Sequence, residues 1–347
     1  MLVTIPNISV RSIAAAFPKA PVDLSALAEI FGVQEVQRII KDTGISKVRL
    51  AEAGICASDL CERAAAKVLA ETDSAVGGIV FVSQTPDYLL PATSLILQHR
   101  LGLAKDVVAF DINYGCSGYV YGLYQAALLI NSGSCNAVLL CVGDVISRFI
   151  SPADRSLRML IGDAGSATIV EKGGGQLTFK IVSDGSGAHY LRIPAGGSRY
   201  PRNEKSRQVS EREYGNWRSD ENLFMDGMEI MKFALRDVPK VIEDLLADRG
   251  WQLSEVDVVG FHQANKFIIE YLRKKLQLPK ETVPIAMGET GNTGPASIPL
   301  MLALEWPRLS AEKRLERAVL CGFGSGLSCA AVALTLSQTK VLGPIEV

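Results

Sequence analysis

The sequence predicts an α/β protein of two duplicated halves, each a mixed, mostly parallel sheet covered by helices, stacked in five layers (αβαβα) with one helix layer shared. Three observations predict it. Apolar runs of strand length, such as Gly77 to Ser83 and Ala137 to Val142, alternate with longer segments of helical periodicity. The order then recurs: GGIVFVSQT matches VDVVGFHQA, and AVLLCVGD matches AVLCGFGS, both at an offset of about 180 residues, as an internal duplication requires. Finally, Tyr119 to Ile130 has only Gln125 as a strongly polar residue, so that helix is expected to be buried on all sides, as a shared middle layer would be. The halves are expected to span 1–172 and 173–347, meeting at a glycine hinge, Gly173 to Gly175.

The elements follow in order. After a strand-like opening to about Ala16, Ser25 to Asp42 reads as helix and ends in the turn Thr43-Gly44-Ile45. Ala57 to Leu69 repeats apolar residues at helical spacing, with Leu60, Ala64 and Val68 beside Cys61, Ala65 and Leu69. A strand at Gly77 to Ser83 leads into a loop bracketed by Pro86 and Pro91, then a helix from Ala92 to Leu101. The strand Val107 to Ile112 runs through Asn113-Tyr114-Gly115-Cys116 into the apolar helix. In the second half Gly196 to Asn222 is long, polar and aperiodic, the pattern of a surface excursion. Helical spacing returns from Met228 to Leu246; Val256 to His262 is a strand, Asn265 to Leu276 a helix, and Ala318 to Cys321 a strand entering the turn Gly322 to Gly326.

Composition excludes several function classes. The 347 residues are 48% apolar, with 36 basic against 37 acidic side chains, so no global charge points to nucleic acid or an anionic membrane. No apolar run reaches the length of a membrane span and the opening lacks the order of a signal peptide; a cytoplasmic protein is expected. Seven cysteines, odd in number and mostly within apolar runs, suit reduced thiols. Cys56 and Cys61 lack the partners of a zinc set, and no metal site is expected.

Chemistry concentrates in a few stretches. Cys116 stands at the start of a helix, where unpaired N–H groups and the helix dipole favour thiolate; the alternative is a small buried hydrophobe. Gly115 and Gly118 allow the sharp turn. His262 ends a second-half strand where the first half has only Ser83, and reads either as a catalyst or as a satisfied core residue. Asn292, between Gly291 and Thr293, reads as an oriented amide or as a turn residue. Gly322 to Gly326 offers backbone N–H groups for an oxyanion or a plain tight connection. Asp163 either orients a loop or touches substrate. Cysteine, histidine, asparagine and a glycine-rich donor loop are the parts of an acyl-transfer site.

These stretches, in the order Gly115-Cys116-Ser117-Gly118, Asp154-Arg155, Gly162-Asp163-Ala164-Gly165, Met225-Asp226-Gly227, His262-Gln263-Ala264-Asn265, Gly291-Asn292-Thr293 and Gly322-Phe323-Gly324, resemble ketoacyl-ACP synthase III of the thiolase superfamily over nearly the full chain. The resemblance implies the thiolase-like fold, usually a homodimer, and decarboxylative Claisen condensation as the reaction. It implies Cys116 as the acyl-carrying nucleophile, fed by an acyl-CoA or acyl-ACP donor. His262 and Asn292 would bind the thioester carbonyl of malonyl-ACP, with the backbone N–H groups of Cys116 and Ser325 as the oxyanion hole. It further implies Arg155, Gly324 and Gly326 at the ligand, Leu90 reaching into a partner's acyl channel, and no metal or redox cofactor. Lys266 and the run Arg273-Lys274-Lys275 are candidates for docking the acyl carrier protein.

Three positions depart from the family pattern. Arg38 and Asp42 stand where acetyl-CoA users have an adenine-clamping tryptophan and arginine, and Phe267 replaces the arginine after His-Gln-Ala-Asn. A specialised relative with another acyl donor, serving lipid, pigment or secondary-metabolite synthesis, is therefore expected. Acyl transfer from the cysteine to an amine or alcohol, and a non-catalytic subunit that binds acyl-ACP, are the competing functions.

Overall fold

A computed structural model describes residues 1–347. The elements that position the site are strands β1 (Leu2–Phe17), β2 (Gly78–Val82), β3 (Val108–Ile112), β4 (Ala137–Asp144), β5 (Ala164–Ser183), β6 (Val258–Phe261), β7 (Ala318–Gly324) and β8 (Ser328–Leu334). The helices are α1 (Val33–Thr43), α2 (Ala57–Leu69), α3 (Thr93–Arg100), α4 (Gly118–Asn131), α5 (Gly227–Arg249), α6 (Lys266–Lys275) and α7 (Ser297–Glu312).

The duplication read from sequence is present in the strand register. β2 pairs parallel with β4, Gly78 opposite Val138, and β6 pairs parallel with β7, Val258 opposite Ala318, so matched segments take matched places. Alternation along these strands divides the side chains between cores. Val80, Val82, Val138 and Leu140 face a central core with Ala318, Leu320 and Val332, whereas Ile79, Phe81, Leu139 and Cys141 face an outer core under α2. In the second half Val319, Cys321 and Phe323 face the other outer core, packed by α5 and α6. Helices α4 and α7 fill the central core, with Tyr119, Val120 and Leu123 from one and Ile298, Met301 and Leu302 from the other. The five layers expected from sequence result, and the α4 helix lies in the shared one.

The strand order is β6-β7-β8-β5-β4-β2-β3, mixed in direction. The boundary expected at 172/173 falls inside β5, a continuous strand of 20 residues whose first part pairs with β4 and last part with β8, while β1 runs antiparallel along both. The change of partner, from β4 up to Glu171 to β8 from Thr178, falls across these glycines, where the register with β1 also shifts between Pro6 and Ile8. A Cβ on Gly173 would collide with Ser9 and one on Gly175 with the Ile8 carbonyl, and the Gly175 N–H donates to Ser9 Oγ at 3.2 Å, so these two are small because β1 lies close beside them.

Two expectations change. The helix read from Ser25 to Asp42 is interrupted at Gly32, whose φ of +83° ends one short helix and starts α1. The polar segment 196–222 is exposed for much of its length but not loose: Arg218 pairs with Asp154 at 3.4 Å, and Trp217–Arg218 forms a small hairpin with Ser210–Glu211. At the flanks of this segment Phe224–Met225 pairs antiparallel with Leu191–Arg192 and builds one wall of the cavity described next.

Candidate active site

The carboxyl ends of β2, β4, β6 and β7 meet the amino ends of α4 and α7, the place where parallel α/β sheets usually carry their ligands. The two helix starts are close: a Cβ on Gly118 would lie 3.3 Å from Pro295 Cβ. A cavity of about 270 Å³ opens there, lined by Cys116, His262, Asn292, Gly324 and Ser325, with Leu157, Leu160, Met225, Ile230, Ile268 and Phe323 among its apolar walls.

Cys116 is half-buried and lies just before Ser117, the residue that begins α4. Burial pushes its thiol up to about 11, against the pull of the Ser325 and Cys116 backbone N–H groups and with the neighbouring Asp144 charge adding to the rise. Desolvation thus opposes the thiolate that the helix start and these N–H groups favour. Gly324 is small because a Cβ on it would sit 2.7 Å from Cys116 Sγ. The turn after β7 is tied to α4 by hydroxyls: Ser117 Oγ lies 2.6 Å from Ser328 Oγ, which donates to the Ser325 carbonyl at 2.8 Å.

His262 is buried, its ring edge-on to Phe323 at 5.7 Å between centroids. Desolvation lowers its pKa to about 4, opposed by the Gly294 backbone, so the ring is neutral at physiological pH. Its Nδ1 lies 2.7 Å from Ser297 Oγ, which also accepts the Gln263 N–H at 3.3 Å. The buried Ser297 hydroxyl has no other acceptor, so its proton goes to Nδ1 and the ring proton stays on Nε2. Asn292 is held by its backbone, which bonds to Leu160 and Gly162 at 2.8 and 3.0 Å. Its Oδ1 accepts the Gly294 N–H at 3.0 Å, which leaves the Nδ2 donors unspent. The left-handed residues of this turn are Gly291, at φ +76°, and Gly294, at φ +57°, not Asn292.

The remaining candidates lie elsewhere. Arg155 does not line the cavity; it pairs with Glu35 at 3.3 Å and donates to the Tyr214 carbonyl at 2.7 Å. Gly326 shapes the turn after Ser325 without reaching the cavity. Leu90 is 82% exposed in a surface loop. Arg273 is spent on Glu270 and the Leu278 carbonyl, and Lys275 on the Leu235 carbonyl, whereas Lys266 and Lys274 are exposed. Among the departures, Arg38 is exposed and paired with Glu35, and Phe267 is 54% exposed beside Lys266, whose stem packs against Gly44. Asp163 ties loops together through the Ala51 and Ser147 N–H groups at 2.8 and 3.1 Å.

Sequence reasoning passed over Ser297, Arg192, Gln84, Asn113 and Asp144. Ser297 had a usable signal, its place at the start of the helix after the asparagine turn, as did Asn113 in the cysteine stretch and Gln84 at the strand end matched to that of His262; Arg192 and Asp144 carry none, since only the meeting of separate segments brings them to the cavity. Asp144 accepts the Ser83 and Thr85 hydroxyls and the Gln84 N–H on one oxygen at 2.7 to 2.9 Å.

Comparison with known proteins agrees with the site. The family described as 3-oxoacyl-[acyl-carrier-protein (ACP)] synthase III matches residues 110–185, and its C-terminal counterpart residues 246–336. A beta-ketoacyl-[acyl-carrier-protein] synthase III from Chlamydia caviae is 35% identical over 303 residues, 85% of this chain and 87% of its own. The crystal structure of a 3-oxoacyl-(acyl-carrier protein) synthase from Burkholderia xenovorans LB400 superposes with a TM-score of 0.92 at 38% identity, covering 100% of this chain and 99% of that one. A synthase III from Pseudomonas aeruginosa PAO1 gives a TM-score of 0.81 at 30% identity, covering 95% and 98%. With matching spread over both halves and over every element around the cysteine, the chain belongs to the 3-oxoacyl-[acyl-carrier-protein] synthase III family of condensing acyltransferases.

Proposed function

We propose that this chain transfers an acyl group from an acyl-CoA or acyl-ACP thioester to Cys116 and condenses it with malonyl-ACP to give a 3-oxoacyl-ACP and CO2. The observation that carries the reading is the convergence of Cys116, the free Nδ2 donors of Asn292 and His262 on one cavity, with His262 Nδ1 engaged by Ser297 Oγ.

In the first half-reaction Cys116 Sγ attacks the donor carbonyl. The negative oxygen that forms is held by the Cys116 and Ser325 backbone N–H groups, which already converge on Sγ. The C–S bond to the donor breaks, and the thiol proton leaves with the departing thiolate as free CoA or ACP thiol. In the second, the malonyl thioester carbonyl accepts from Asn292 Nδ2 and His262 Nε2. Loss of CO2 leaves an enolate whose charge those two donors hold. Its carbon attacks the acyl carbonyl on Cys116, the S-acyl bond breaks, and the returning thiolate takes up a proton. The thioester supplies the electron sink throughout, so the cycle calls for no metal or redox cofactor.

The departures bear on how the donor is held. With Arg155 engaged by Glu35, the exposed cations Arg192 at the cavity wall and Lys266 beside it are the groups available to phosphate or to an acidic carrier helix. No helix is long and apolar enough to cross a membrane, and the seven free cysteines fit a reducing compartment such as the cytoplasm. A homodimer is supported by β3, a sheet edge paired only with β2, next to exposed Leu89, Leu90 and Leu95.

Intact-mass detection of an acyl adduct on Cys116, across acyl-CoA and acyl-ACP donors and then after malonyl-ACP, tests the reading. Adduct formation, its consumption on adding malonyl-ACP and the absence of adduct in Cys116→Ala are the expected results. An adduct that malonyl-ACP leaves untouched points to another acceptor.

A further inference from the structure

The cavity has two unlike walls. Most of it is aliphatic, but on the side of Cys116 toward the sheet edge the lining is Gln84 at the end of β2, Asn113 at the end of β3 and Asp144 at the end of β4. Both carboxamides are exposed to the cavity and neither makes a hydrogen bond to protein; the Gln84 bond to Asp144 uses its backbone N–H.

The backbone at Gly115 leaves room for one of them. A Cβ on Gly115 would collide with Gln84 Oε1, so the absence of a side chain beside the nucleophile lets the Gln84 carboxamide lie against that turn. Asp144 holds the strand end rigid through Ser83, Gln84 and Thr85 on one oxygen, while its Oδ2 has no protein partner and faces Gly294, where a Cβ would lie 3.4 Å away.

We propose that the acyl group carried by Cys116 bears a hydroxyl or ketone oxygen within a few carbons of its thioester carbonyl, which the Gln84 and Asn113 carboxamides recognise. This rests on the acyl-transfer reading of the same cavity. Exposed carboxamides without protein partners hydrogen-bond to water. An alkyl chain would strip that water and replace it with nothing, whereas a carboxamide donates to a ketone and accepts from a hydroxyl. A site with such groups rejects the analogue lacking the oxygen far more strongly than an apolar site rejects a missing methylene. The Asp144 carboxylate disfavours a second carboxylate, which leaves the neutral oxygen substituents as the fitting class.

The test loads the full-length protein with butyryl, 2-hydroxybutyryl, 3-hydroxybutyryl, 3-oxobutyryl and succinyl thioesters, on CoA and on holo-ACP, and follows the Cys116 adduct by intact mass. At least one hydroxy or oxo donor is expected to load about tenfold faster than butyryl, with succinyl slowest. Gln84→Leu and Asn113→Leu, both at exposed positions, should each bring that ratio toward one by speeding butyryl relative to the oxygenated donor. Butyryl loading as fast as every oxygenated donor, or a preference that survives both leucine variants, overturns the proposal and leaves acyl transfer standing. A wild-type protein that no thioester acylates overturns the acyl-transfer reading and the proposal with it.

Discussion

Replacing Asn292 should slow decarboxylation while sparing acylation of Cys116. The side chain makes two kinds of contact: Oδ1 accepts the Gly294 N–H at 3.0 Å, and Nδ2 is left for a ligand. Removing one donor to a developing oxyanion costs about 3 to 4 kcal/mol, or roughly 10² to 10³ in rate, with the lower end expected because His262 remains as a second donor. Asn292→Ala also strands the Gly294 N–H, at about 1 kcal/mol of stability, so a second variant is needed to separate donor from scaffold. Asn292→Asp keeps the acceptor for Gly294 and turns the donor into a charge; it should fold normally and release CO2 at least as slowly as the alanine variant. The assay compares CO2 release from malonyl-ACP with the rate of acyl-adduct formation. CO2 release within about twofold of wild type in Asn292→Asp, or an equal fall in both rates, would refute the assignment.

Ser297→Ala should reduce CO2 release by about five- to thirtyfold, the effect of about 1 to 2 kcal/mol, because the His262 ring loses the donor that keeps its proton on Nε2; unchanged release would show that the tautomer needs no such hold. For Cys116, a thiol at about 11 against the ordinary 9.0 means about a hundredfold less thiolate at pH 8, so alkylation by iodoacetamide should trail a free cysteine by that factor and climb with pH; a plateau near pH 7 would contradict the burial argument. Asp144 is raised from 3.8 to about 6 by burial, so the folded state holds its proton more tightly than the unfolded chain and stability falls as pH rises through that window. Asp144→Asn should therefore be more stable than wild type at pH 7, by up to about 3 kcal/mol, with the difference vanishing below pH 4 in denaturant titrations.

Much of the architecture was legible because its determinants are local or repeated. The continuous apolar runs Gly78–Val82 and its copy Val258–Phe261 mark strands buried on both faces, and Tyr119–Ile130, apolar but for Gln125, marks a buried helix. Gly173 to Gly175 carry two roles that the sequence could not separate: the strand partner changes across them, and Gly173 and Gly175 also leave room for Ser9 and Ile8 of the neighbouring strand, which only the tertiary structure places there.

At the site, the types and order of Cys116, His262 and Asn292 were set in the chain, since each sits in a motif that local turn chemistry demands. Their states were not. The protonation of Cys116 turned on how much water the folded walls remove, the tautomer of His262 on a hydroxyl 35 residues away, and the freedom of Asn292 Nδ2 on where its oxygen was spent. Arg155 shows the converse, a motif residue whose charge Glu35 had already taken. Sequence by itself determined which groups exist and which segments carry them. Tertiary structure alone decided their ionisation and their free valences, because desolvation and hydrogen-bond satisfaction depend on atoms distant in the chain and adjacent in space.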